Sequence, residues 1–321
     1  MSGIQSQNGK AFEYACLSAL AQMATNAQAV HIAENAPYFT AQNAFFSSDD
    51  AVQAQMHSAA VAAGKALMRL EPQLTYVDTS DSIFLSLQTD AMGISGDVRD
   101  VLCVRKQSGW QIGLSCKHNH HAVKHSRLSA SIDFGAKWFS VPCSNAYFDA
   151  VRPLFLALED IRKTSIPAPL WGNVFQKEET YYLPVLHAFM DELVRLDVAY
   201  PKTIPTGLIR YLIGANDFYK IIADNVRRIT RVEAINLEGK LNQPSPARSA
   251  IVNTPRLKYP TRFFHVGMRP DSTTTAEVVC DEGWALSFRI HSASSRVEAS
   301  LKFDINLISL PKTIYAQVEP W

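Results

Sequence analysis

The chain has 321 residues, of which 47% are hydrophobic and 19% are charged, and its formal net charge is +1. This composition is typical of a globular protein and excludes a disordered chain. Its apolar runs are shorter than the ~20 residues that a membrane-spanning helix needs, and its first residues lack a basic-then-apolar signal. We therefore expect a cytoplasmic protein. Five scattered cysteines without a Cys-x-x-Cys pair argue against a disulfide framework or a zinc clamp.

The first predicted element is a helix with one acidic residue beside its apolar face. Residues 9–20 place apolar side chains at helical spacing, and Glu13 is adjacent to that face. Glu13 is either an ordinary solvated helix acid or a residue of an active site. Farther along, residues 47–70 predict an alanine-rich helix that Pro72 ends. Segments 74–77 and 83–87 predict strands.

A hairpin is predicted next, and it brings acids and a lysine together. Residues 101–104 and 110–117 form two apolar strand patterns around a turn at 107–109. Asp97 and Asp100 stand at the start of the first strand, and Lys117 stands at the end of the second. Those ends are neighbours in an antiparallel pair, so carboxylates and an ammonium can converge where a metal would help to activate water.

A basic, histidine-rich run follows the hairpin. It contains no zinc-protease motif, because His121 and His125 enclose no glutamate after the first histidine. We expect it instead to bind DNA phosphates. The residues assigned to this role are His118, Asn119, His120, Lys124, His125 and Arg127. A second basic segment, 248–269, holds five basic residues and no acid, among them Arg256 and Lys258. Two such segments fit a phosphate-holding cleft, and a solvated basic surface is the alternative.

The middle of the chain is predicted to be helical and the last third to be β-rich. Helices are predicted at 132–141, 145–163 and 178–198, the last interrupted or bent by Pro184. Core segments are predicted at 208–213 and 217–222, where Lys220 is interpreted as structural. Strands are predicted at 231–237, 262–268, 274–279, 285–291 and 297–303. Alternation places Arg289 and His291 on one face, and with Lys302 they are candidate readers of base edges, although a solvated sheet face would look alike.

The hairpin resembles the active-site motif of the PD-(D/E)xK nucleases, in which an acid opens one strand and (D/E)-x-K closes the next. Here Asp100 opens the first strand, and Ser115-Cys116-Lys117 closes the second. The run through Ser129 and the segments 211–220 and 284–304 are similar to type II restriction endonucleases of the HaeIII type. The departure is Ser115, which stands where the motif has an acid.

The resemblance implies both a fold and a set of site residues. The expected fold is α/β (α+β), a nuclease core with a central mixed sheet flanked by helices, a helical insertion and a β-rich C-terminal region. We expect divisions at 1–140, 141–228 and 229–321, which could also form one compact unit. Asp100 is the expected principal metal ligand, and Lys117 orients the attacking water. Since serine is a poor magnesium ligand, Glu13 is the first candidate for the second carboxylate and Asp97 the next.

The expected function is cleavage of double-stranded DNA at a short palindrome, with Mg²⁺ as cofactor and Mn²⁺ as a possible substitute. The resemblance further implies the target GGCC, a homodimer on DNA and a cognate DNA methyltransferase as functional partner. Two other functions stay open. One is a structure-specific repair nuclease, and the other is a catalytically silent DNA-binding module, which the serine at position 115 favours.

Overall fold

The computed structural model describes residues 4–25, 28–89, 97–118, 122–124 and 126–321. The chain divides into two compact units, one comprising 1–120, 214–257 and 313–321 and the other 121–213 and 258–312. The divisions expected at 140 and 228 do not coincide with these units. The reason is that strands from the predicted helical and C-terminal regions return to complete the first sheet.

Thirteen strands are described along the chain. They are β1 Val30–Ile32, β2 Ile83–Leu87, β3 Val101–Arg105, β4 Gln111–His118, β5 Ala122–Lys124, β6 Arg127–Ser129, β7 Phe218–Asp224, β8 Ile229–Ile235, β9 Phe263–Met268, β10 Thr275–Cys280, β11 Ala285–Ser292, β12 Ser300–Ser309 and β13 Tyr315–Pro320. The first unit holds a seven-stranded sheet in the order β1-β2-β3-β4-β7-β8-β13. Strand β1 is parallel to β2 and β4 is parallel to β7, whereas the other neighbours are antiparallel, so the sheet is mixed.

Four helices are described in the first unit, and the alanine-rich sequence of α3 lets it lie close to the sheet. They are α1 Ile4–Thr25, α2 Ala36–Phe46, α3 Asp50–Leu70 and α4 Pro72–Thr75. The predicted second helix is confirmed as α3, which Asp49 caps by accepting a hydrogen bond from Val52 N at 3.0 Å. The predicted strand at 74–77 is wrong. Pro72 opens a helical turn there, since its fixed φ suits the first helical position.

The two faces of the first sheet differ in character. The face that packs in one core cluster with α1, α2 and α3 carries Leu114 and Cys116, so the prediction that Cys116 faces the core is confirmed. Side chains alternate along a strand, and Ser115, Lys117 and Lys220 therefore belong to the opposite face. Hence the first unit is a mixed α/β structure whose central sheet packs against helices.

The second unit is an antiparallel sheet with its own aromatic core. Its order is β5-β12-β11-β10-β9, and β6 also pairs with β12. The accompanying helices are Phe134–Phe139, Asn145–Lys163, Leu183–Ala199 and Thr203–Ile213. Phe189 lies 4.8 Å from Phe303 and 5.2 Å from Phe288 between ring centroids. None of the helices in the described ranges is long and apolar enough to cross a membrane.

The predicted helix 178–198 is present, and its hydrogen-bonding pattern changes from π to α beside Pro184, in line with the predicted interruption. A π-type turn at Glu178–Tyr182 leads into the helix Leu183–Ala199, and Pro184 occupies its first turn. A missing N–H has no cost at that position. The predicted strand 297–303 is observed as Ser300–Ser309.

Candidate active site

The hairpin of β3 and β4 brings Asp100 next to Lys117, as its spacing predicts. Val101 is opposite Leu114, and Asp100 N donates to Leu114 O at 2.7 Å, which fixes the register at the strand start. Asp100 Oδ2 accepts hydrogen bonds from Cys116 N at 2.6 Å and from Lys117 Nζ at 3.5 Å. The side chains of Asp100 and Lys117 are 22% and 24% exposed, so a ligand can reach them from solvent.

Glu13 of α1 belongs to the same electrostatic cluster. Its residue is only 7% exposed, which rules out the interpretation as a solvated helix acid. Burial and then the charge of Asp100 raise the pKa of Glu13 to about 7, although Lys10 and Lys117 act in the opposite direction. Lys10 Nζ donates to Glu13 Oε2 at 3.1 Å. Glu13, Asp100 and Lys117 are therefore close enough for their charges to influence one another.

Lys117 is held in its charged form. Burial lowers its pKa, but the charges of Asp100, Cys116 and Glu13 outweigh this and raise the pKa above its ordinary value. A protonated lysine is a hydrogen-bond donor and a fixed positive charge, but not a base. This arrangement is suited to stabilising negative charge that develops on a substrate.

Asp97 is engaged elsewhere. Arg99 Nε donates to its Oδ1 at 2.7 Å, and Arg99 Nη2 donates to its Oδ2 at 2.6 Å. Burial works against ionisation of Asp97, yet hydrogen bonds from Arg99 and Gln88 hold its pKa below the ordinary value. Both oxygens have donors, which favours Glu13 over Asp97 as the second carboxylate. Ser115 is buried and supplies no acid of its own.

Three of the residues predicted to bind phosphates after the hairpin, Asn119, His120 and His125, lie outside the described residues. Lys124 belongs to β5, whose backbone pairs with Ile305. His118 packs on Phe12 at 5.7 Å between centroids, and its Nε2 is 3.1 Å from Asn225 Nδ2. Burial lowers the pKa of His118, so a packed neutral ring fits it better than a phosphate-binding cation. Arg127 is exposed and pairs with Glu298 at 2.8 Å.

The candidate base readers on the second sheet share one face. Leu286, Phe288 and Ile290 are buried, whereas Arg289 is exposed and His291 is half-buried, as the predicted alternation requires. Ser287, which shares the face of Arg289, is nevertheless buried. His291 is opposite Lys302 in the register of β11 and β12.

Arg256 and Lys258, the two residues of the second basic segment that were assigned to DNA binding, each have an acidic neighbour. Arg256 Nε donates to Leu237 O at 2.8 Å, and Arg256 lies 3.5 Å from Glu238. Lys258 lies 4.0 Å from Glu282. Their roles in DNA binding stay predictions.

Comparison with known proteins decides the family. The family model described as the HaeIII restriction endonuclease matches residues 9–311. A similar protein, the type II restriction enzyme HaeIII from Haemophilus aegyptius, is 39% identical over 321 residues, which is 100% of this chain and 99% of the relative. The chain belongs to the HaeIII restriction endonuclease family. No solved structure matches it.

Membership of the HaeIII family confirms the predicted activity: the chain is a type II restriction endonuclease, a site-specific nuclease that acts on DNA. The predicted hairpin and all three resembling segments lie within the matched range. Sequence reasoning missed Lys10, which pairs with Glu13 in the candidate site. Its spacing of three residues on a helix was a usable signal, because such residues are neighbours on the helix surface.

Proposed function

We propose that this enzyme cuts both strands of double-stranded DNA at the palindrome GGCC by Mg²⁺-dependent hydrolysis, with Asp100, Glu13 and Lys117 as its active-site residues. The observation that carries the proposal is the contact in which Asp100 accepts from Lys117 at 3.5 Å, with Glu13 near enough for the charge of Asp100 to raise its pKa. The hairpin and the mixed sheet support a PD-(D/E)xK type of nuclease core.

The donor set fits magnesium. In the described part of the chain, Asp100 Oδ1 and Glu13 Oε1 have no hydrogen-bond donor, so each carboxylate has an oxygen to offer. No group of three or more His, Cys, Asp or Glu side chains that could hold a metal occurs among the described residues. Magnesium suits such a site, because it is bound through one or two carboxylates together with substrate phosphates and keeps several waters. Mn²⁺ is the expected substitute.

Each residue has a defined part in phosphodiester hydrolysis. When bound, the cation supplies Lewis acidity and neutralises phosphate charge. Asp100, which Cys116 N holds in place, and Glu13 would hold the cation. Lys117 orients the attacking water and stabilises the charge that develops on the phosphate. Asp97 positions Arg99 beside the start of β3. Ser115 has no carboxylate, so Glu13 supplies the second one.

DNA recognition falls to the basic residues of both units. We assign phosphate contacts to the run from Asn119 to Arg127 and to Arg256 and Lys258, but not to His118, whose buried ring packs on Phe12. Arg289, His291 and Lys302 read base edges, since an exposed arginine can pair bidentately with guanine O6 and N7. The identity of 39% to the enzyme from Haemophilus aegyptius supports the target GGCC. A two-fold homodimer matches the symmetry of a palindrome. A cognate methyltransferase and a cytoplasmic location complete the proposal.

Plasmid digestion tests this function. We expect discrete fragments with Mg²⁺, no cutting with EDTA, and ends that map to GGCC. Cutting that depends on branched or damaged DNA would instead indicate a repair nuclease, and a gel shift without cutting would indicate a silent binding module. Methylation of GGCC should protect the plasmid, which checks the functional link to a methyltransferase.

A further inference from the structure

Lys220 lies in the strand next to the proposed active site. Strand β7 runs parallel to β4, and its register places Lys220 beside Ser115. On the other side, Lys220 is opposite Glu233 of β8. Residues paired in register point to the same face of a sheet. Lys220 therefore stands on the face of Lys117, next to the position where the nuclease motif has an acid.

The ammonium group of Lys220 has no counter-ion of its own. Among the described residues, Lys220 makes no hydrogen bond and no ion pair. Glu233 is close enough to influence it, but Arg231 Nε already donates to Glu233 Oε1 at 2.6 Å. Lys220 is only 9% exposed, yet its Nζ is absent from the fully buried atoms without a partner, so its tip keeps contact with solvent. A buried stem with a solvated tip is how lysine reaches a surface.

The surroundings of Lys220 favour an anionic ligand. Burial lowers the pKa of Lys220, and the nearby charge of Lys117 lowers it further, against the effect of Glu233. Two neighbouring lysines repel each other, and a phosphate placed between them would remove that repulsion. At position 115 an acid would compete for Lys220, whereas Ser115 leaves the ammonium available.

We propose that Lys220 is a second phosphate-binding cation of the active site, whose Nζ contacts a DNA phosphate at or next to the scissile bond, beside Lys117. This inference rests on the proposed function of the Asp100–Lys117 site. It replaces the sequence-based interpretation of Lys220 as structural, which came from the apolar residues around it.

The test compares Lys220→Met and Lys220→Arg with the wild type on a duplex that contains the mapped cleavage site. Binding is measured in EDTA across a series of salt concentrations. The methionine variant should bind about tenfold more weakly at low salt, as for the loss of one charge-assisted hydrogen bond. Its plot of log K against log salt should be shallower by about 0.9, the amount for one phosphate contact. The arginine variant should keep the wild-type slope.

Single methylphosphonate substitutions then locate the contact. Neutralising the contacted phosphate should weaken wild-type binding but should cost the methionine variant nothing more, because both changes remove the same interaction. Glu233→Gln is the matched control for a purely structural role, and thermal unfolding is followed for each variant. The Glu233→Gln variant should leave the salt slope unchanged. An unchanged slope for Lys220→Met, whatever its thermal stability, would overturn the inference.

The outcome separates this inference from the proposed function. Asp100→Ala and Lys117→Ala should be inactive whether or not Lys220 binds phosphate. If Lys220→Met binds and cleaves DNA as well as the wild type while Asp100→Ala is inactive, Lys220 has no part in phosphate binding but the proposed active site stands. If Asp100→Ala is active, the proposed active site itself is wrong.

Discussion

Replacing Glu13 by glutamine should change both the stability of the enzyme and its response to metal. Burial and the charge of Asp100 raise the pKa of Glu13 from 4.5 to about 7. A carboxyl with a raised folded pKa gives up its proton more easily in the unfolded chain. The contribution of Glu13 to stability is therefore fully present below about pH 4.5 and is lost as the pH rises through about 7. Glutamine cannot ionise, so the variant should not show this loss.

The size of the effect follows from the two pKa values. At about 1.4 kcal/mol for each pH unit, ionising Glu13 costs the folded enzyme on the order of 3 kcal/mol at pH 8. In EDTA, Glu13→Gln should be more stable than the wild type by up to about this amount at pH 8 and nearly equal to it at pH 5. A metal ligand must be deprotonated, so Mg²⁺ should bind the wild type about tenfold more tightly at pH 8 than at pH 6. The variant should bind it weakly at both pH values.

Chemical denaturation from pH 5 to pH 8 measures the first effect, and Mg²⁺ titration followed by cleavage assays measures the second. Glu71→Gln is a matched control. Burial raises the pKa of Glu71 to about 7 as well, and its Oε1 accepts from Tyr219 Oη at 2.6 Å and Asn242 N at 2.7 Å. A glutamine oxygen can still accept those bonds. This control should gain stability at high pH but cleave DNA normally.

Two results would refute the reasoning about Glu13. One is coincident curves of stability against pH for the wild type and Glu13→Gln, which would mean that the raised pKa is not real. The other is normal cleavage with normal Mg²⁺ affinity in the variant, which would remove Glu13 from the metal site and leave Asp100 as its sole assigned carboxylate.

Five further substitutions probe the active site and its surroundings. Asp100→Ala or Lys117→Ala should each reduce cleavage by about 10³-fold or more, on the scale of a lost charge-stabilising group; near-normal cutting would exclude that residue. Gel shifts should show near-normal DNA binding for Asp100→Ala. Arg289→Ala should lower discrimination at one base pair of the target by about 1–3 kcal/mol. Lys302→Ala should do the same if Lys302 reads a base, but should weaken binding to all sequences alike if it contacts phosphate. Cleavage of single-base variants of the site distinguishes these outcomes. Gly113→Ala should destabilise the fold, because its Cβ would lie 2.0 Å from Arg99 Cδ; an unchanged melting temperature would contradict this packing.

Local sequence was sufficient for the hairpin and for the pairing of Asp100 with Lys117, the two residues proposed for its active site. The alternation and the turn predict two antiparallel strands, and antiparallel pairing alone makes the start of one strand adjacent to the end of the next. Asp100 and Lys117 are therefore placed together by a segment of fewer than twenty residues, which is why their contact at 3.5 Å was predictable. Resemblance over the same segment also predicted the family that the comparisons show.

Only the tertiary structure decided which distant residues join that pair. Glu13 arrives through packing of α1 on the sheet, and Lys220 through the parallel pairing of β7 with β4. The two units are likewise built from segments far apart in sequence. A local pattern shows which face of a strand is buried, but the choice of neighbouring strand and register depends on the whole core. The sequence by itself thus determined the chemistry of the hairpin, while long-range packing determined the carboxylate and the lysine that complete the proposed site.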